Sequence, residues 1–152
     1  MHGELITRLT TRGLTLAVAE SLTGGLLCAE LTEVSGASAV VRGGVVAYST
    51  DLKASVLGVP QDLLDSVGAI DADVALEMAR GVAVRLGADI GISTTGVAGP
   101  DVQDGKPVGT VFIACVWGEK NRVQELSLAG TRNEIRALTV QSALSMLATM
   151  IS

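Results

Sequence analysis

Short apolar runs alternate with helix-period segments along nearly the whole chain, and that alternation admits few folds. Residues 4–12 carry Leu5, Ile6 and Leu9 at helical spacing, and Gly13 closes the segment. Residues 14–19 form a short β run that ends at Glu20 and Ser21. Residues 23–34 are helical by period and stop near Gly36, and residues 40–49 contain a second strand. Gly43 and Gly44 inside that strand mark a bulge or a close backbone approach. Two short helices follow over 51–57 and 61–66, and a long one over 72–86 ends at Gly87. Residues 89–93 read as a third strand, running into a glycine-rich loop over 94–100. Strands over 109–117 and 123–128 flank a polar turn at 118–121, and Thr131 with Glu134 forms a capping box that opens the last helix.

Strands that alternate with helices, followed by two strands close together, predict an α/β sheet covered on both faces. The close pair implies one antiparallel strand in a largely parallel sheet. No repeat, linker or low-complexity stretch divides the 152 residues, so a single domain over 1–152 is expected. Ligands in such sheets bind beyond the C-terminal strand ends. Ser21, residues 48–53 and residues 94–100 all follow strands, so three segments are expected at one rim.

The rare residues narrow the chemistry further. The chain has one histidine, His2, near its start, and three lysines, Lys53, Lys106 and Lys120. A Ser-His-Asp or Cys-His nucleophile therefore lacks a credible imidazole. The two cysteines, Cys28 and Cys115, each stand alone in an apolar stretch and read as small core residues. With one histidine and two isolated thiols, no metal site and no cofactor are expected. A side-chain base must come from Lys, Asp, Glu or Tyr.

The formal net charge of -5 argues against nonspecific nucleic-acid binding, and three aromatic residues cannot form a stacking platform for single strands. No apolar run approaches the ~18 residues that span a bilayer, and the first residues alternate as an amphipathic helix rather than a signal peptide. Unpaired thiols suit a cytoplasmic location. The aliphatic content leaves room for a homodimer.

Ala19-Glu20-Ser21-Leu22-Thr23-Gly24-Gly25 joins a strand to a helix. Ser21 or Thr23 there is either an N-cap, with Gly24 and Gly25 allowing tight packing, or part of a site. In the second reading a hydroxyl sits beside unpaired N–H groups near Thr23 and Gly24 that can receive an oxyanion. Tyr48-Ser49-Thr50-Asp51-Leu52-Lys53 contains the sole tyrosine. Lys53 is either a solvated helix residue or a base for Ser21, with Tyr48 relaying or orienting the proton. As a base it needs a pKa well below the usual ~10.4. Residues 99–106, GPDVQDGK, do not make a phosphate loop, because prolines stand at 100 and 107 where that motif needs glycine and Ser/Thr. Thr94, Thr95 and Gly96 offer hydroxyl and backbone groups to a polar ligand. Arg132 and Arg136, one turn apart, are either a solvated face or a clamp for a carboxylate or phosphate.

Taken together, AESLTGG, GGVVAYSTDLKASVLGV, STTGVAGPD and KPVGTVFIA resemble the C-terminal domain of the CinA competence/damage-inducible proteins. The four motifs occur in order and span almost the whole chain. The resemblance implies a three-layer α/β/α sandwich with a five-stranded, mostly parallel mixed sheet. It also implies a nicotinamide-nucleotide amidase, which hydrolyses the carboxamide of nicotinamide mononucleotide to nicotinate mononucleotide and ammonia. On that resemblance the catalytic residues fall on Ser21 as nucleophile, Lys53 as base and Tyr48. The substrate-binding positions are then Thr23, Gly24, Gly25, Thr95, Gly96, Arg132 and Arg136, and the partner is a small-molecule nucleotide. Many family members carry a larger domain ahead of this one, and its activity is not expected of this sequence. Ile70-Asp71 departs from the Val-Ser usual there; aspartate caps a helix as serine does but adds negative charge. A non-catalytic pyridine-nucleotide-binding module is the alternative reading, and an interaction domain acting through an oligomer is a third.

Overall fold

The computed structural model describes residues 2–152, so Met1, the first residue of the expected domain, lies outside it. The elements run α1 (His2–Thr11), β1 (Leu16–Glu20), α2 (Leu26–Thr32), a 3-10 turn (Ala37–Ala39), β2 (Val41–Val46), α3 (Thr50–Ser55), α4 (Gln61–Val67), α5 (Ala72–Leu86), β3 (Ile90–Gly96), β4 (Thr110–Trp117), β5 (Lys120–Ser127) and α6 (Arg132–Met150). The five strands form one mixed sheet in the order β2-β1-β3-β4-β5. β1 pairs in parallel with β2 and β3, and β4 runs antiparallel to both β3 and β5. Four strands therefore point one way and β4 alone runs against them, as the close strand pair predicted.

Side chains alternate across each strand and sort the helices into two layers. Leu16, Val18, Ile90, Ile92, Val111 and Ile113 pack with α1, α2 and α6 on one face. Ala17 and Ala19 pack with Leu57, Leu64, Val74, Met78 and Val82, and so meet the layer of α4 and α5 on the other. The small residues on this second face let the helix approach closely. A Cβ on Gly91 of β3 would overlap the Ala79 carbonyl of α5, so glycine is needed there. Gly43 and Gly44 show both features expected of them. The β1–β2 register slips beside Gly43, and a Cβ on Gly44 would lie 2.7 Å from Val18 Cγ2.

The chain leaves β1 toward β2 by way of α2 on one face and returns from β2 to β3 by way of α5 on the other. β1 thus lies where the strand order reverses, which opens a crevice beyond its C-terminal end and that of β3. Arg132 opens α6 at the same rim, because β5 points the same way as β3. The capping box forms: Thr131 Oγ1 accepts from the Glu134 amide, and Glu134 Oε1 accepts from the Thr131 amide. Asp71 caps α5 as expected, accepting from the amides of Asp73 and Val74.

Among the boundaries that differ from the sequence reading, three have a clear physical reason. The second helix starts at Leu26 rather than Thr23, because Gly24 and Gly25 adopt positive φ values that interrupt helical geometry. β3 continues through Thr94, Thr95 and Gly96, which are strand rather than loop, since they pair with Ile113, Phe112 and Val111. Lys120 and Asn121 belong to β5, because Gly118 at φ 59 lets the hairpin turn within Gly118 and Glu119.

Candidate active site

Ser21 is the first residue past β1, and its amide donates to the Thr94 carbonyl (3.0 Å) at the end of β3. Alternation turns Glu20 toward α2 and Ser21 toward the opposite layer, where α3 begins. Lys53 is the one buried side chain of α3, and its Nζ lies 3.0 Å from Ser21 Oγ. This lysine is only 1% exposed. Its Nζ also donates to the carbonyls of Ala47 (2.7 Å) and Tyr48 (3.4 Å). Three acceptors therefore satisfy the three N–H bonds of an ammonium. Burial pushes the Lys53 pKa down to about 8, against the nearby Asp104 and Asp51 carboxylates, which raise it. Once neutral, the amine keeps two N–H bonds for the two carbonyls and turns its lone pair to the Ser21 hydroxyl. That is the arrangement a general base for a serine requires.

Ser21 and Thr23 do not cap α2. Gly25, φ 107, is the N-cap residue, so the helix has no side-chain cap of its own. Glu20 takes that role from below: its carboxylate accepts from the amides of Gly25 (3.2 Å), Leu27 (2.9 Å) and Cys28 (3.0 Å). Glu20 is 1% exposed, and sequence reasoning passed it over. The available signal was an acidic residue five positions ahead of a helix whose start offers only glycine. The Gly24 amide, expected to receive an oxyanion, instead donates to the Ser21 carbonyl (3.1 Å). Among the described residues the amides of Leu22 and Thr23 meet no acceptor within the protein. Thr23 Oγ1 shares a hydrogen bond with Thr94 Oγ1 (2.8 Å), and both residues are buried.

A cleft of about 320 Å³ opens over Ser21, bounded by Leu22, Tyr48, Arg132 and residues 96–103. Tyr48 is 59% exposed, and its hydroxyl accepts from Arg132 Nη2 (3.1 Å). Only its backbone carbonyl touches Lys53. A proton relay through the Tyr48 hydroxyl to Lys53 therefore has no contact to run through, and the ring stands as a cleft wall. Arg132 also donates through Nη1 to the Gly99 carbonyl (2.6 Å), tying α6 to the loop after β3.

Similarity to other proteins follows the same geometry. A family model described as the CinA C-terminal domain matches residues 1–151. The chain belongs to the CinA C-terminal domain family. A CinA-like protein of Frankia casuarinae is 47% identical over 152 residues, which cover all of this chain and 35% of that protein. A putative competence-damage inducible protein of Bacillus subtilis is 50% identical over 82% of this chain and 30% of its own length. The chain thus spans about a third of the length of these curated relatives. Solved structures match nearly end to end. The competence/damage inducible protein CihA of Agrobacterium tumefaciens superposes with a TM-score of 0.92 at 39% identity, covering 99% of this chain and 96% of that one. A CinA superfamily protein of Escherichia coli gives 0.94 at 34% identity over 98% and 87%.

In this CinA domain the remaining expected residues divide. Gly96 borders the cleft, whereas Thr95 is buried outside its lining, on the sheet face that Ser21 shares, and its hydroxyl donates to the Ala69 carbonyl (2.7 Å). Thr94, in register with Glu20, faces the α2 side instead, where its hydroxyl meets Thr23 Oγ1 and the Ser21 amide. Arg136 lies outside the cleft lining. Its Nε donates to the Leu22 carbonyl (2.9 Å) and its Nη2 to that of Thr23 (3.4 Å), so it grips the serine turn. Cys115 is fully buried, and burial pushes its thiol up to about 12. Cys28 packs half-buried against the core, its thiol also raised by burial and by Glu20. His2 lies on α1 beside Glu30, away from the cleft. Among the described residues, no helix is long and apolar enough to cross a membrane.

Proposed function

We propose that this domain is an amidohydrolase that converts nicotinamide mononucleotide to nicotinate mononucleotide and ammonia through a Ser-Lys pair. The observation that carries the reading is the buried Lys53 amine 3.0 Å from Ser21 Oγ, with its other donors held by two carbonyls. Neutral Lys53 accepts the Ser21 proton while Oγ attacks the carboxamide carbon. The C–O bond forms and the carbonyl π electrons move to oxygen, where the Leu22 and Thr23 amides are the available donors. Collapse of the adduct breaks the C–N bond, and the Lys53 ammonium returns its proton to the departing nitrogen, which leaves as ammonia. Water then repeats the sequence on the acyl-serine, with Lys53 taking its proton, and releases the carboxylate.

The cleft suits a nucleotide with a small flat ring. Its walls combine backbone and aliphatic side chains with Tyr48, Gln103 and the Asp101 carboxylate, and Arg132 supplies a cation at the rim for a phosphate. A cytoplasmic role in recycling pyridine nucleotides follows from that substrate.

The test is ammonia release from nicotinamide mononucleotide, with nicotinamide riboside as the phosphate-free control. Wild type releases ammonia and nicotinate mononucleotide, and Ser21→Ala or Lys53→Ala abolishes both products. Near-normal turnover in either variant overturns the mechanism. Tight nucleotide binding without ammonia release makes the domain a binding module instead.

A further inference from the structure

Glu20 has no place in the reaction as written, yet it is a buried carboxylate one residue from the nucleophile. It accepts from three amides of the first turn of α2, and the Leu26 amide is taken by the Thr23 carbonyl (2.9 Å). The start of α2 is thereby closed to any outside anion. Arg136 grips the same turn from α6 through the Leu22 and Thr23 carbonyls. A trans peptide sets N–H opposite C=O. With the Ser21 carbonyl held by the Gly24 amide and the Leu22 carbonyl by Arg136, the amides of Leu22 and Thr23 must point away from both partners. Thr23 is wholly buried, and a buried amide without an acceptor is rare unless a ligand supplies one.

Resting on the amidase reading above, we infer that Glu20 is a positioning residue. By holding the start of α2, it fixes the turn so that the Leu22 and Thr23 amides bind the oxygen of the tetrahedral adduct on Ser21. Such donors act on the adduct and not on the product carboxylate, so their misplacement lowers kcat and leaves KM in place.

The experiment pairs turnover with two ligands, 3-pyridylboronic acid, which forms a tetrahedral adduct on a reactive serine, and nicotinate mononucleotide. Removing one oxyanion donor from a hydrolase costs on the order of 10²–10³ in kcat. Glu20→Ala is expected to lower kcat by about 100-fold, and Glu20→Gln, which keeps one acceptor oxygen, by about tenfold. Boronate affinity should fall by the same factors while product affinity stays within about twofold. Unchanged kcat and boronate affinity overturn the inference. So does equal weakening of boronate and product, which marks a collapsed cleft. If the alanine variant fails to fold, the glutamine variant decides alone. A wild type that takes boronate without hydrolysing carboxamides defeats the amidase reading, and the boronate ratio between variants still decides the role of Glu20.

Discussion

The turn after β1 is gripped by Glu20 from beneath and Arg136 from above, whereas the loop after β3 crosses the same cleft with its tip in solvent. At the loop base the Val97 amide donates to Thr110 and the Gly109 amide to Val97, at 2.9 and 2.8 Å. Farther out, Gln103 and Lys106 pair with each other, and the Asp104 carboxylate accepts from the Ala69 amide (3.1 Å). Val102 is left largely exposed. Bond making needs sub-ångström placement, which a buried charged clamp supplies. Substrate entry needs a wall that can yield, which a solvated loop supplies. Changes on the turn and α3 should therefore act on kcat, and changes at the loop should act on KM.

The largest break in that division comes from Lys53. In Lys53→Met the base is gone but the cleft wall is intact, so kcat should fall by more than about 10⁴-fold while product affinity changes little. In wild type, kcat/KM should rise with pH and level off above a midpoint near 8, because the neutral amine is the active form. The same shift sets a stability trend. The folded chain releases the Lys53 proton near 8 and the unfolded chain near 10.5, so between those values the unfolded state binds more protons. Stability then rises with pH across that window and the cost of the buried charge is fully present below it. The upper bound is about 3 kcal/mol. Urea melts at pH 7 and 10 check this as a difference between wild type and Lys53→Met, which cancels the other titrating groups.

Gly25→Ala strikes the pinned turn itself. The nearest side-chain atom to a new Cβ is Val46 Cγ2 at 3.9 Å, so space is available and the cost lies in the backbone at φ 107. A non-glycine residue there should lose about 1–3 kcal/mol of stability, read from urea melts. It should also lower kcat about tenfold by shifting the amide that Glu20 holds.

The fold was legible because period and punctuation agree almost everywhere: α5 runs over 72–86 as read, and the capping box opens α6. The two covered faces expected of the sheet are present, with Leu16 and Val18 on one and Ala17 and Ala19 on the other. The site was legible only in part. Ser21 and Lys53 lie at successive strand ends, and topology brings them together. Thr95 lies in β3 rather than in a loop, because the strand continues three residues further than its apolar run, and its hydroxyl is engaged by the Ala69 carbonyl. Glu20, and the hold of Arg136 on the serine turn, were hidden for a different reason. Their partners are backbone groups of a turn, and a sequence carries no mark of which carbonyls and amides are left over once a helix starts late.

At the loop, Arg132→Gln removes the donors to the Gly99 carbonyl and the Tyr48 hydroxyl. It also removes a cation that lines the cleft. KM for nicotinamide mononucleotide should rise about tenfold with kcat held within about twofold, whereas nicotinamide riboside, lacking the phosphate, should be affected less.

Asp104 gives the smallest and sharpest reading, because its carboxylate serves both sides of the comparison. It anchors the loop tip to the Ala69 amide, and its charge raises the Lys53 pKa. Its φ of 51 lies in the left-handed region that asparagine tolerates better than most residues. Asp104→Asn therefore keeps the backbone and an acceptor oxygen for Ala69 while deleting the charge. KM should stay within about twofold and the kcat/KM midpoint should move below that of wild type, since burial then acts on Lys53 with less opposition. Asp104→Ala deletes the anchor as well, and KM should rise about threefold on top of the same midpoint shift. A midpoint that moves with Asp104→Ala and not with Asp104→Asn would mean that loop position, not charge, reaches Lys53. The rigid and yielding halves of the cleft would then be coupled through the backbone, and the division between kcat and KM effects would fail at that point.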